Sequence, residues 1–334
     1  MGTLITVGDK GQFVVGDDET LLDAGLRAGF GLPKACRNGN CERCAVQLIS
    51  GRVTLGRARQ PLDANTTGAL LLCQAYAETE CTIDDARITA PGELRVSVLQ
   101  CQIEQIRPLN HNVSAVTLLL PAGRVHHWYA GQYLLLGEQQ ESAFSIANAP
   151  AAGQRQLLLH IRHDSDNDSA VTLMDELRRA STISVTLPLG DRYIDQPPAR
   201  PLWFICGSTG FAPARAMIEH LAAQHFSQPV RLFRGGRQAA DIYPAEWSAG
   251  TLEELADFAE VRAVEQGAGE DEFAGLVHQA ALAALAESDQ REQAEIHLGG
   301  SPAMVWAVFD ALCEAGVNPA QIHSDVFDYA PREQ

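Results

Sequence analysis

Cys36-Arg37-Asn38-Gly39-Asn40-Cys41-Glu42-Arg43-Cys44, followed by Cys73, sets four cysteines in the order C-x4-C-x2-C-x28-C. That spacing is a ligand set for a [2Fe-2S] cluster: three thiolates on one tight loop wrap one side of a small inorganic core, and a fourth arrives from a distant segment to close it. The expected metal ligands are therefore Cys36, Cys41, Cys44 and Cys73. Gly39 suits such a loop, because glycine takes positive backbone angles without steric cost and leaves room for amides to approach sulfur. A structural zinc site is the competing metal reading, but it usually shows paired C-x2-C units, and disulfides would imply export.

The surroundings agree. Residues 4–7 and 12–15 read as two short strands around a polar turn, Thr20 caps a helix over residues 21–28, residues 46–49 leave the cysteine loop as a strand, and Leu70-Leu71-Leu72 leads into Cys73. With these elements residues 1–88 resemble a plant-type ferredoxin, which implies a β-grasp [2Fe-2S] domain. Leu21-Leu22-Asp23-Ala24 and Leu32-Pro33-Lys34-Ala35-Cys36 stand where that family has its helix and its entry to the cluster. Glu42 departs from the pattern, since relatives commonly carry a small residue there.

A chain of 334 residues, 46% hydrophobic, is long enough for two or three packed domains. No apolar run approaches the ~20 residues of a membrane span, and the N-terminus lacks a basic start and hydrophobic signal core, so a cytoplasmic protein with no membrane attachment is expected. Cys81, Cys101, Cys206 and Cys313 lie in apolar stretches and read as small buried hydrophobes. The net charge of −17 excludes the basic face that nucleic-acid binding needs. Residues 196–334 hold −12 of it, whereas residues 33–60 carry +5, from Lys34, Arg37, Arg43, Arg52, Arg57 and Arg59 against Glu42.

Thr89-Ala90-Pro91-Gly92-Glu93 punctuates the chain. Beyond it, strands over residues 102–106, 113–120, 132–136, 157–162 and 183–187 with one helix near 171–179 suggest a small antiparallel β-barrel, here bounded as 97–195. The last part, 198–334, alternates strand and helix: strand 202–206, helix 212–224, strand 230–233, strand 296–298, helix 304–315. That order argues for a parallel, Rossmann-like α/β nucleotide-binding sheet. Its first turn, Gly207-Ser208-Thr209-Gly210-Phe211-Ala212-Pro213, sits between an apolar strand and a helix, where backbone amides and the helix dipole face a pyrophosphate. Gly299-Gly300-Ser301-Pro302 forms a second such turn in the same sheet.

Residues 97–334 resemble the ferredoxin-NADP reductase superfamily. The resemblance implies an antiparallel β-barrel flavin domain, carrying Gly131-Gln132-Tyr133 and Phe144-Ser145-Ile146, and a nicotinamide domain, carrying the turns at 207–213 and 299–302 and a segment with Arg234, Arg237 and Asp241. Leu159-His160-Ile161 is similar to the bacterial NAD(P)H-flavin reductases. The whole chain, ferredoxin first, is similar to reductase components of bacterial multicomponent oxygenases, Rieske or di-iron. The implied cofactors are the [2Fe-2S] cluster and FAD in preference to FMN, with NADH or NADPH as donor. NADPH is favoured by Arg234 in the region that meets a 2′-phosphate, and NADH by the match of Arg237 to NADH-using relatives. The implied chemistry is electron splitting: hydride reaches the flavin, and single electrons leave through the cluster. Ser145 and Phe144 would sit against the flavin, and Phe327 in Asp325-Val326-Phe327 matches a family aromatic near it.

Two departures stand out. Ser142 occupies the place of an arginine that meets flavin phosphate in relatives, leaving Arg162 or the turn Ser169-Ala170-Val171-Thr172 to hold it. Gly299 stands where many relatives carry a cysteine close to the hydride-transfer site, a loss expected to slow hydride transfer or to open space for the nicotinamide. The expected partner is a terminal oxygenase or other redox acceptor, docking at the basic rim of Lys34, Arg37, Arg43 and Arg57. Alternatives are a reductase for a sugar dehydrase, a free-flavin reductase and a non-catalytic carrier or sensor.

Overall fold

The computed structural model describes residues 2–34, 39, 42, 44–56, 58–64, 70–85, 87–123, 126–137, 141–164, 168–288 and 293–332. The chain divides into two units, Met1–Arg95 and Val96–Gln334.

In the first unit the strands are β1 (Thr3–Val7), β2 (Gly11–Val15), β3 (Ala45–Ser50), β4 (Arg52–Leu55), β5 (Gln60–Asp63), β6 (Leu70–Leu71), β7 (Ala75–Ala77) and β8 (Cys81–Asp84). Five of them form a mixed sheet in the order β2-β1-β8-β3-β6, and β5-β4-β7 form a small second sheet. Period-two alternation in β2 buries Phe13 and Val15. Helix α1 (Leu21–Arg27) lies on this core. The Thr20 side chain accepts a hydrogen bond from the Asp23 amide at its start, and Arg27 pairs with Glu19 near its end. Gly25 is buried in α1 because a Cβ there would stand 2.4 Å from Leu32 Cδ1.

In the second unit, β9 (Ser97–Pro108), β10 (Val113–Leu119), β11 (Tyr133–Leu136), β12 (Ser142–Ser145), β13 (Gln156–Arg162) and β14 (Thr182–Leu189) form an antiparallel sheet ordered β12-β11-β14-β9-β10-β13. A bridge between Ile146 and Leu159 brings its two edges together, so the sheet is nearly closed as a barrel. Helix α2 (Asp168–Arg179) buries Leu173, Met174 and Leu177 against the barrel core.

The remaining strands are β15 (Leu202–Gly207), β16 (Val230–Gly236), β17 (Phe258–Val264), β18 (Phe273–Ala274), β19 (Glu295–Gly299) and β20 (Ile322–His323), all parallel, in the order β18-β17-β16-β15-β19-β20. Leu202-Trp203-Phe204-Ile205-Cys206 is buried throughout because both faces of the sheet are covered. Leu202, Phe204 and Cys206 meet α3 (Phe211–Ala223), and Trp203 and Ile205 meet α4 (Val277–Ala286) and α5 (Pro302–Glu314). The last helical element is the short α6 (Val326–Tyr329). After β15 the chain moves to β16 on one side, while β19 fills the other. The carboxyl ends of β15 and β19 therefore flank a topological switch point, the usual place for a ligand in such sheets.

Candidate functional site

Cys44 and Cys73 come from separate segments, the start of β3 and the turn after β6, and both are buried. Their sulfurs lie 3.3 Å apart as free thiols. One tetrahedral metal with bonds of about 2.3 Å holds two thiolates about 3.8 Å apart, so a small side-chain rotation lets both reach one iron. Burial pushes the Cys44 thiol up, and metal binding is what holds a buried thiol deprotonated. The Gln74 amide nitrogen is 3.9 Å from Cys73 Sγ and donates to the Cys73 carbonyl at 3.0 Å, a polar contact of the kind that tunes a cluster. Gly39 has φ +84, and Glu42 stands at φ 54, a region that costs a residue with a Cβ about 1 kcal/mol. Cys36 and Cys41, with Arg37, Arg43 and Arg57 of the basic rim, lie outside the described residues; Lys34 is exposed. The other cysteines follow expectation except Cys313, which is only half-buried.

At the switch point lies a groove of about 290 Å³ lined by Gly207, Ser208, Gly235, Gly236, Arg237, Asp241, Glu265, Leu276, Val277, His278, Ser301, Met304, Ala307, Asn112 and Arg162. No side chain caps the turn before α3, whose Gly207 and Ser208 line the groove, while the Ser301 side chain caps α5 through the Met304 amide. Gly235 has no room for a side chain, since a Cβ there would meet Val277 Cβ at 2.8 Å, while one at Gly207 or Gly300 would displace the flexible end of Met304, whose Sδ would stand at 2.4 and 2.7 Å. The groove thus joins two glycine turns with polar and charged side chains, a combination that can hold a dinucleotide pyrophosphate. Thr209, Ala212 and Pro302 belong to the same turns and helix starts.

Behind the groove, Pro213, Gly210 and Gly299 line a narrow crevice with Gly131, Arg192, His297, His323 and Asp325. Here the two turns touch backbone to backbone. A Cβ at Gly299 would stand 2.2 Å from the Gly210 carbonyl oxygen, and one at Gly210 would stand 2.1 Å from the Gly299 carbonyl carbon. The expectation that Gly299 opens space for nicotinamide is corrected: the space a cysteine side chain would use is filled by the neighbouring turn. Asp325 is held up at about 6, first by burial and then by Asp328.

On the barrel, Tyr133 pairs with Ser145 and Leu134 with Phe144, so Tyr133 and Ser145 share one face of the β11–β12 ribbon while Phe144 packs partly against the barrel core. Tyr133 lies on Gly190, where a Cβ would meet its ring at 2.8 Å. Gln132 is buried; its side chain accepts from the Tyr129 amide and donates to the Gly190 carbonyl, which fixes the 129–133 turn. Half-buried Tyr133 and Ser145 fit an isoalloxazine better than Ser142 fits a phosphate. Val171 and Thr172 are exposed on α2, and the side chains of Ile146 and Ile161 are in the barrel core, leaving only their backbone for a cofactor.

Four assignments move. Arg162 faces the dinucleotide groove, where its Nε pairs with Asp164 at 2.5 Å, and Asp164 in turn accepts from Asn112. Arg234 does not reach the groove: it is 5% exposed, donates to the Tyr243 carbonyl, pairs with Glu260 and lies 4.1 Å over the Phe211 ring. β16 turns Arg234 towards α3, away from any 2′-phosphate. His160 is also buried, 3.0 Å from the Tyr243 hydroxyl, and burial, with Arg215 beside it, pushes it down to about 3. Phe327 packs on Trp306 and Phe309 at 4.8 and 5.4 Å, and Asp325 faces the crevice in its stead.

Sequence reading missed Asn112, Glu265 and His278 in the groove. Asn112 carried a faint signal as part of the polar turn Asn110-His111-Asn112; Glu265 directly follows β17, a strand with no clear pattern. The barrel hairpin brings Asn110 Nδ2 to the Ala240 carbonyl at 3.0 Å and His111 to Asp241 at 3.6 Å, so the barrel forms one wall of the groove.

Comparisons with known proteins agree with this geometry. The 2Fe-2S iron-sulfur cluster binding domain family matches residues 5–78, and the oxidoreductase NAD-binding domain family matches residues 204–310. The chain is 28% identical over 322 residues to terephthalate 1,2-dioxygenase reductase component 1 of Comamonas sp, covering 94% of this chain and 93% of that protein. It is 25% identical over 317 residues to the CDP-6-deoxy-L-threo-D-glycero-4-hexulose-3-dehydrase reductase of Yersinia pestis, covering 92% and 93%. Among solved structures, an Amycolatopsis cytochrome P450 reductase superposes with a TM-score of 0.63 at 26% identity, covering 97% of this chain and 98% of that one. The chain is a flavin- and nicotinamide-binding oxidoreductase with a [2Fe-2S] ferredoxin domain ahead of its reductase part, an architecture consistent with the ferredoxin-NADP reductase superfamily.

Proposed function

We propose that this chain is the reductase component of a multicomponent oxygenase, taking electrons from NADH through FAD and the [2Fe-2S] cluster to a separate terminal oxygenase. The observation that carries the reading is the groove at the switch point, built from two backbone turns and walled by the flavin-type barrel, in a chain that also brings Cys44 and Cys73 together. When bound, the flavin supplies the exchange between a two-electron hydride donor and a one-electron cluster. The protein supplies placement: the 207–210 and 299–301 turns hold the pyrophosphate, Arg162 and Arg237 add positive charge, and Tyr133 and Ser145 line the flavin face, with Phe144 on the opposite face of the ribbon against the barrel core. The relatives differ in acceptor, a dioxygenase in one and a sugar dehydrase in another, and share the reductase layout.

NADH is favoured over NADPH by the charges of the groove. Burial of Arg234 removes one candidate for a 2′-phosphate, Arg237 lies 3.9 Å from Asp241, and Glu265 adds a second carboxylate. Carboxylates there suit a ribose hydroxyl and repel a phosphate. The acceptor would meet the basic rim that includes Lys34. No helix among the described residues is long and apolar enough to cross a membrane. An anaerobic NADH titration followed by visible absorption, with released flavin assayed on the same sample, tests the reading. Bleaching of bound flavin and of the cluster at a catalytic pace supports it. A cluster that reduces only after flavin is added makes the chain a free-flavin reductase, and no reduction even then makes it a carrier or sensor.

A further inference from the structure

Helix α3 starts at the dinucleotide turn and begins its second turn with a buried arginine. Arg215 is 5% exposed, and its guanidinium spans three segments: Nη1 donates to the Ala147 carbonyl at 2.7 Å, Nε to the Ala245 carbonyl at 2.9 Å and Nη2 to the Glu246 carbonyl at 2.9 Å. Glu219, one turn further, pairs with Arg215 at 2.8 Å and accepts from the Ala149 amide at 3.1 Å. The helix therefore grips both ends of segment 147–149, which directly follows Phe144-Ser145-Ile146 on the flavin side of the barrel. That segment is tied inward by the Ile146 amide to the Gln132 carbonyl and by the Ala147 amide to the Leu158 carbonyl.

A buried ion pair is a poor way to glue two domains, because desolvation offsets most of its attraction and apolar side chains of similar volume serve stability as well. What the planar guanidinium does that an apolar contact cannot is hold three carbonyls in one fixed arrangement. Such an arrangement matters where a reaction depends steeply on distance. Hydride transfer needs reacting atoms about 3–3.5 Å apart, and a 1 Å displacement can cost about 100-fold.

We propose that Arg215, braced by Glu219, is a positioning residue for hydride transfer: it locks the nicotinamide-side turn to the flavin-side strand while touching neither cofactor. The inference rests on the NADH-to-flavin reading given under Proposed function. It is tested in the full chain with Arg215→Lys and Glu219→Gln, and with Arg107→Ala as control, since Arg107 pairs with Glu246 across the same boundary at a more exposed position. Four quantities are read: NAD+ affinity, FAD affinity, the long-wavelength absorbance of the NADH–flavin complex with the rate of flavin bleaching, and electron passage from photoreduced flavin to the cluster. The expected result for Arg215→Lys is loss of the long-wavelength band and hydride transfer slowed about 100-fold, with both affinities within about threefold and flavin-to-cluster transfer unchanged. Glu219→Gln is expected to give a partial loss of the same kind, and stands alone if the lysine variant does not fold. Arg107→Ala should leave all four near native values. Unchanged hydride transfer in both variants, or a loss that only follows weakened cofactor binding, overturns the positioning role. If the native chain itself fails to bleach bound flavin with NADH, the underlying reading fails first and the inference falls with it.

Discussion

Replacing Gly299 by cysteine should weaken this protein. The new Cβ would lie 2.2 Å from the Gly210 carbonyl oxygen, 2.9 Å from its carbonyl carbon and 3.1 Å from its Cα, where ordinary contact begins at 3.4 Å. The turns must therefore part by about 1.2 Å, and backbone on both sides leaves no flexible side chain to yield. Overpacking of this kind costs about 1–3 kcal/mol. In a domain pair of this size each kcal/mol moves Tm by about 2–4 °C, so a fall of about 2–12 °C is expected by calorimetry. Gly210→Ala separates crowding from backbone preference. Gly210 has φ −61, an angle any residue adopts, so with free space alanine would stabilise by about 0.4–1 kcal/mol through the unfolded chain. With the Gly299 carbonyl carbon 2.1 Å from the new Cβ, the sign reverses. Because both substitutions strain one contact, the double variant should lose less than the sum of the singles. NAD+ affinity should fall with Tm, since both turns form the pyrophosphate cradle. A Gly210→Ala protein that melts higher than native, or a Gly299→Cys protein of native Tm and NAD+ affinity, would refute the contact.

Ser142→Arg should tighten FAD retention about tenfold or more, because a charge-assisted hydrogen bond contributes about 1.5–3 kcal/mol; flavin fluorescence on dilution measures it, and unchanged release means the phosphate lies elsewhere. Asp325, raised to about 6 by burial, contributes stability below its unfolded value of 3.8 that is lost as pH rises through 6. Asp325→Asn should therefore exceed native stability at pH 8 by up to about 3 kcal/mol and converge with it near pH 4, read by urea unfolding; parallel curves would count against burial of the carboxylate. Burial pushes Cys206 up to about 12 and Cys101 to about 11, while Cys313 is half-buried. Alkylation of the folded chain at pH 8, mapped by mass, should mark Cys313 and spare the other two until unfolding; equal labelling of Cys206 would contradict its place under α3.

Much of the chain was legible because its signals are local. The cysteine spacing, the all-apolar run 202–206, and the glycine turns that open α3 and α5 each state a requirement that neighbours in sequence satisfy. The same holds for the alternation that marks β2 and the cap at Thr20. What could not be read is which way a side chain faces once a strand is covered on both sides. Arg234 looked like a phosphate ligand because it lies at the end of β16, yet pairing of β16 between β15 and β17 turns it onto Phe211 and Tyr243. His160 and Arg162, two residues apart on β13, met different fates: one is sealed against Tyr243 and the other lines the groove. Arg215 read as one more residue of an amphipathic helix, although its partners at 147, 245 and 246 make it the joint between barrel and sheet.

By itself, then, the amino-acid sequence determined the order of ferredoxin, barrel and parallel sheet and the two glycine turns that open α3 and α5, because covalent spacing and helix or strand period act over a few residues. Tertiary structure alone decided that the turns at 210 and 299 press together, that Arg234 and His160 are buried, and that the barrel hairpin walls the groove. These depend on contacts between segments tens of residues apart, whose geometry is set by close packing of the whole unit and not by any local preference.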